Sequence, residues 1–396
     1  MLNRREIAKA FAYSAAAPML AACTTPPTPA PLPPAPPTSA FLLASALAGT
    51  TTPGIAAITI RGFRAEPERV AGVRVMNTVD RVAAGDRWHL GSDGKAMTAT
   101  LIARLVERGV LSWERPLAQL LPELAQGMQP QYRDVTLPDL LSHRAGLPEN
   151  IVDLQVLQSF YSDSAAPPAQ RLRYITACLR DAPIGPARNE SHYSNTGPII
   201  AGVCAERAAN RAFEALIVGQ VFAPLGMSSV SFVQMGGSGE PHGHVDGRVA
   251  DRPQDVNPPV INPAGGMRMS MPDWSRFCID HLAGRHGRGR LLRAETYRFL
   301  HTPQYVAANG TGWALGWGLA PHPMNLQGPA LTHSGSDGNW TALVCLFPET
   351  GNGVLVAANA AESMKGDQAA RTAIRALAAT VAEPAPSSAN SANSGN

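Results

Sequence analysis

Apolar and polar positions change period three times along this chain. Two early runs, Ile55–Ile60 and Gly72–Met76, have strand character. From Ser92 the period becomes helical: Met97, Leu101, Ile102, Leu105 and Val106 mark one face, and Gly109 ends the run. Helical spacing with short loops dominates from Leu117 to about Phe222, including Pro198–Arg207, where Pro198 suits a first turn. Strand runs return at Ala330–His333, Thr341–Phe347 and Val354–Ala358. Strands at both ends around a helical middle predict an α/β part made from residues of about 40–115 and 263–382. A helical part of about 116–262 is inserted between them, and 40–382 forms the catalytic unit.

The ends read differently. Arg4-Arg5 opens a basic region, and an apolar, small-residue run from Ala8 to Ala22 follows it. That run is too short to span a bilayer and is built like an export signal, so residues 1–22 are expected to be removed. The string Arg4–Lys9 resembles a twin-arginine signal, and Leu20-Ala21-Ala22-Cys23 resembles a bacterial lipobox. Acylation of Cys23 is the expected outcome; the alternative is an ordinary cleaved signal in which Cys23 is incidental. Residues 23–39 then form the anchor cysteine and a Pro/Thr-rich stalk, and 383–396 a Pro, Ser, Ala and Asn tail expected to be disordered.

Charge narrows the partners. The formal charge is +3, but the export segment holds Arg4, Arg5 and Lys9 against Glu6, so the processed chain is close to neutral. Such a chain offers no basic footprint for nucleic acid. Cys178, Cys204, Cys278 and Cys345 sit in apolar stretches without framework or metal spacing, and read as four buried thiols. His242, His244 and Asp246 imitate a metal cluster but lack the partner set of an open site, so no metal and no organic cofactor is expected. His143 and Arg144 follow a helical run and read as a C-terminal cap.

Three short motifs carry the chemistry, in order. Ser92-Asp93-Gly94-Lys95 places Lys95 one helical turn after Ser92, so the amine reaches the hydroxyl. An amine takes a serine proton only if burial or positive neighbours lower its pKa. Tyr193-Ser194-Asn195, entering the Pro198–Arg207 helix, adds a phenol able to carry protons if neighbouring cations lower its pKa, and an amide able to orient an acylamide. His333-Ser334-Gly335 closes a strand, where His333 and Ser334 can bind a substrate carboxylate or support proton transfer and Gly335 admits substrate backbone. Each motif alone has a bland reading: Ser92 as a helix cap, Tyr193 as packing, His333–Gly335 as the approach to the turn Ser336–Asn339.

Set and order resemble the penicillin-recognising serine hydrolases: DD-peptidases, class C β-lactamases and family VIII carboxylesterases. The flanking text Trp88–Leu105, and the segments Thr136–Pro148, Pro224–Met227 and Pro263–Met269, carry the resemblance further without evident chemistry. It implies an antiparallel sheet flanked by helices, an inserted all-α domain, and a site in the cleft between them. It also implies an oxyanion hole from the backbone N–H groups of Ser92 and Ser336. Tyrosine at position 193 points to the class C and DD-peptidase branch, and His333 departs from the lysine of most β-lactamases. The expected activity is a Ser92 acyl-enzyme hydrolase acting on a short-chain ester or a D-amino-acid amide or peptide. β-Lactam hydrolysis is the alternative, and a non-turnover sensor acylated by β-lactams is the alternative of another class. Oligomeric state is not legible.

Overall fold

The computed structural model describes residues 38–233 and 235–382. The expected export segment 1–22, Cys23, the stalk up to residue 37 and the tail 383–396 lie outside the described residues. From Thr38 onward the chain clusters as one unit.

Its centre is a nine-stranded antiparallel sheet. Across it run Arg64–Ala65, Gly54–Arg61, Asn352–Ala358, Thr341–Phe347, Ala330–Ser336, Gly318–Ala320, Gly312–Trp313 and Tyr305–Val306. The ninth strand, Arg69–Gly72, also pairs with Gly54–Arg61. The two chain ends therefore meet in the middle, with Ile55 opposite Ala358 and Ile60 opposite Gly353. Thr341–Phe347 is buried along its whole length because helices cover both faces. Ser39–Leu47 and Gly366–Ala378 pack on one face with Ala330, Leu343, Cys345 and Val356. Gly94–Glu107 and Met271–Gly284 cover the other with Val344, Ala342 and Leu355.

The two late strand expectations at Thr341–Phe347 and Val354–Ala358 hold, the latter extended to Asn352. The early Gly72–Met76 expectation does not: the strand is Arg69–Gly72 and ends where the prediction begins. Gly72 has φ +92, and a side chain there would strike the Pro53 carbonyl, so the backbone turns away at that point. Val73 keeps only a single bridge to Arg81. Residues 116–262 are mostly helical, notably Pro167–Cys178 and Thr196–Ala209, but also hold a small hairpin, His244–Val245 with Arg248–Val249. Cys178, Cys204, Cys278 and Cys345 are free and buried.

Candidate active site

Ser92 sits in a 3-10 turn, Gly91–Asp93, that runs directly into helix Gly94–Glu107. Three backbones converge on that turn, and each approaches through a glycine. Gly91 has φ +50, and a side chain there would overlap the Ser336 backbone nitrogen. A Cβ on Gly335 would strike the Leu90 carbonyl oxygen, and one on Gly265 would lie 2.7 Å from the Gly91 carbonyl oxygen. The glycine of the H-S-G motif thus lets its strand close on the nucleophile turn. The backbone nitrogens of Ser92 and Ser336 come together at this junction. A helix start leaves N–H groups without intrahelical acceptors, so this is where an oxyanion could be held.

Lys95 is fully buried, and its Nζ touches three oxygens: Ser92 Oγ at 2.8 Å, Asn195 Oδ1 at 2.7 Å and the Ala264 carbonyl at 2.8 Å. The last two can only accept. A neutral amine has two protons and one lone pair, so the protons go to Asn195 and Ala264 and the lone pair falls on Ser92. Burial favours that neutral form and brings the Lys95 pKa down from 10.5 to about 7, against opposing charge from Asp93 and Glu149. Asn195 occupies the N-cap position of helix Thr196–Ala209 without capping it. Its amide nitrogen donates instead to Asn150 Oδ1 at 3.1 Å, which fixes the orientation that presents Oδ1 to Lys95. Each end of this amide has one contact within the protein, so Asn195 orients the base, and it also lines the cavity over Ser92.

The Tyr193 hydroxyl lies near enough to that of Ser92 for Ser92 to favour its ionised form. Its pKa is pushed up, first by burial and then by Asp93 and Glu149, contrary to the expectation that neighbouring cations would lower it. Tyr193 is therefore a neutral phenol, fit to hand a proton on but not to act as a phenolate. Its ring is held by His143, 4.6 Å between centroids, and by Trp313 at 5.7 Å. His143, expected as a charged helix cap, is buried and neutral: burial drives its pKa well down, and its Nδ1 accepts from the Ser194 N–H at 3.2 Å.

The H-S-G strand divides its residues between two faces. His333 and Gly335 pair with Val344 and Ala342 and face helix Gly94–Glu107; Ser334 pairs with Leu343 and faces the other way. Ser334 lines a different cavity, about 470 Å³, with Arg371 and Ile374. The period of two along a strand, which motif reading overlooks, separates it from Ser92. His333 is buried beside Trp313, 5.8 Å between centroids, and burial plus the Lys95 charge bring its pKa to about 3. A neutral imidazole beneath the cleft adds no fixed positive charge for a substrate carboxylate.

The cavity over Ser92 has a volume of about 320 Å³; Tyr193, Asn195, Ser336 and Gly265 help line it. The beta-lactamase family model matches residues 42–379, nearly the whole described structure. The chain belongs to the beta-lactamase family. Members of this family and its structural neighbours are serine hydrolases, and so is this chain. It is 25% identical over 315 residues to penicillin-binding protein 4 of Amycolatopsis lactamdurans, covering 73% of this chain and 76% of that one. Among solved structures it resembles a class C beta-lactamase from Rhodobacter sphaeroides, with TM-score 0.69, 20% identity, and 87% and 99% of the two chains covered. It also resembles a D-stereospecific amidohydrolase from Streptomyces, with TM-score 0.68, 20% identity, and 84% and 96% covered. At these identities the likeness carries the fold alone.

Several residues around the beta-lactamase-family site escape sequence reading. Ala264 and Gly265 belong to the segment Pro263–Met269, taken as connective, yet one supplies an acceptor to the base and the other packs under Ser92. Asp93 is buried with neither carboxylate oxygen hydrogen-bonded, and burial pushes its pKa well above the usual carboxylate range. Glu149, just past Thr136–Pro148, stands at the cavity and accepts the Asn195 N–H at its carbonyl, 2.8 Å. Their one available signal was adjacency to a motif. Elsewhere, both His244 nitrogens engage backbone, at Asn359 and Met76, so the suspected histidine cluster does not converge.

Proposed function

We propose that this chain hydrolyses short-chain esters or D-amino-acid amides and peptides through an acyl group on Ser92. The observation that carries the reading is the arrangement of acceptors around Lys95, which leaves its lone pair aimed at Ser92 Oγ. Ser92 Oγ attacks the carbonyl carbon as its proton passes to Lys95 Nζ, and the new oxyanion rests on the N–H groups of Ser92 and Ser336. The tetrahedral centre collapses, the bond to the leaving atom breaks, and that atom takes a proton through the Tyr193 hydroxyl. Water then attacks the acyl-enzyme and gives a proton through Tyr193 to Lys95; the bond to Ser92 Oγ breaks, the acid product leaves, and Lys95 returns that proton to Ser92.

β-Lactam turnover ranks below ester and amide hydrolysis because neutral His333 offers a β-lactam carboxylate no fixed cation. A fluorophosphonate should add one covalent mass to a peptide containing Ser92, with labelling and ester turnover both absent in Ser92→Ala. Full activity in that variant would end the assignment. An adduct from a β-lactam that persists for hours would favour the sensor reading instead. We also propose that the enzyme works on the periplasmic side of a membrane, held there by acylated Cys23; the lipobox-like sequence ending at Cys23 supports this.

A further inference from the structure

Two charged residues line the cavity over Ser92, Glu149 and Asp337, both acidic; the Asp337 side chain is almost wholly buried, which leaves Glu149 as the exposed carboxylate. Lys95 lies behind Ser92, outside that wall, and is fully buried. Glu149 is exposed, and its carboxylate makes no ion pair or hydrogen bond among the described residues. Its charge is nonetheless felt at the reaction centre, since it opposes deprotonation of both Lys95 and Tyr193. Asp337 uses Oδ1 to cap the N–H groups of Asn339 and Trp340, at 2.9 and 3.0 Å. Its Oδ2 is buried without a hydrogen bond, with His89 Nδ1 at 3.7 Å. Arg268, a buried cation that feels the Asp337 charge, is committed to Glu240 and to the Met235 carbonyl. The remaining wall is mixed: Asn150, Asn195 and Asn257 supply neutral polar groups, and Leu157, Ile261, Tyr161 and Tyr193 apolar or aromatic surface.

A substrate that ends in a carboxylate therefore meets the exposed Glu149 carboxylate and no fixed cation on the cavity wall. One bearing an ammonium meets an unpaired carboxylate beside aromatic rings, a setting that favours cations. We propose that the cleft selects acyl groups carrying a free protonated amine, that is, esters and amides of amino acids with an unblocked α-amine, and that Glu149 is the residue that reads the amine. This deepens the acyl-enzyme reading and rests on it.

The test uses p-nitrophenyl esters of D-alanine, N-acetyl-D-alanine and N-succinyl-D-alanine, which differ in charge but share a leaving group. Released nitrophenolate reports acylation even if deacylation is slow. In the wild type, kcat/KM for the free amine should exceed that for the N-acetyl ester by at least about tenfold, the scale of one charge-assisted contact. The N-succinyl ester should be slowest, and added salt should shrink the spread. Glu149→Gln should lower the amine-to-acetyl ratio at least about fivefold. Glu149→Lys should invert the order in favour of the succinyl ester, a gain that misfolding cannot produce. Ratios taken within one variant cancel any shift that loss of the Glu149 charge causes at Lys95. Equal or better use of the blocked esters by the wild type, or an unchanged ratio in both variants, overturns the proposal. So does release from none of the three esters by a chain that a fluorophosphonate labels at Ser92. Absence of that labelling is the separate result that defeats the acyl-enzyme reading itself.

Discussion

If Lys95 is the base, activity should follow the fraction of Lys95 that is uncharged, and the structure says where that fraction falls. Burial brings the amine from 10.5 to about 7. With a neutral ester such as p-nitrophenyl butyrate, kcat/KM should then be level above about pH 7.5 and fall below it. At pH 5 about one Lys95 in a hundred keeps its lone pair, so the rate should be ~100-fold below the plateau. An amine left at its ordinary value would behave oppositely, gaining about tenfold per pH unit all the way from 7 to 9. Initial rates across pH 5–9 at constant ionic strength distinguish the two. Continued steep climbing above pH 8 would refute the argument from burial. The sign of a second change is also fixed: Glu149 raises the Lys95 pKa, so Glu149→Gln should move the midpoint to lower pH.

Other expectations are narrower. Tyr193→Phe keeps the ring against His143 and Trp313 but removes the hydroxyl, so ester turnover should fall ~10²-fold while phosphonate labelling of Ser92 falls far less; equal losses would mean a packing role. Gly335→Ala forces a methyl into the Leu90 carbonyl and should cost about 1–3 kcal/mol in urea unfolding along with most activity; unchanged values would show that the strand does not lock the turn. Cys23→Ser should move the protein from the membrane fraction to the soluble periplasmic fraction, and unchanged fractionation would remove the lipid anchor.

The fold was legible where apolar runs were long. Thr341–Phe347 is seven residues of unbroken burial, and its sequence shows that on inspection. Tyr305–Val306, Gly312–Trp313 and Gly318–Ala320 have two or three residues each, too few for any period, so the sheet edge that carries Trp313 went unseen. At the site, side-chain chemistry was legible and main-chain chemistry was not. Ser92, Lys95, Tyr193 and Asn195 converge as their motifs suggested, but nothing in a side-chain pattern announces that Ala264 contributes a carbonyl. Direction was lost as well: Ser334 belongs to the motif by letter and to the opposite face by strand geometry. Titration depends on burial, which only the assembled structure supplies, and that is why the raised pKa of Tyr193 and the lowered pKa of His333 were not legible in the sequence.

The pairing of Gly54–Arg61 with Asn352–Ala358 has a consequence for the order in which the molecule comes into being. The first strand made pairs early with Arg69–Gly72 on one edge but must wait for the last strand on the other, and Gly54 N–H is completed by the Asn359 side chain, at 2.7 Å. Ser92 and Lys95 are synthesised early, but the strand that presses Ser336 against Gly91 is among the final segments to be made. Contacts so distant in sequence form slowly. A nascent or C-terminally truncated chain therefore holds a serine and a lysine without a reaction centre, and the hydrolase falls silent whenever its synthesis stops short.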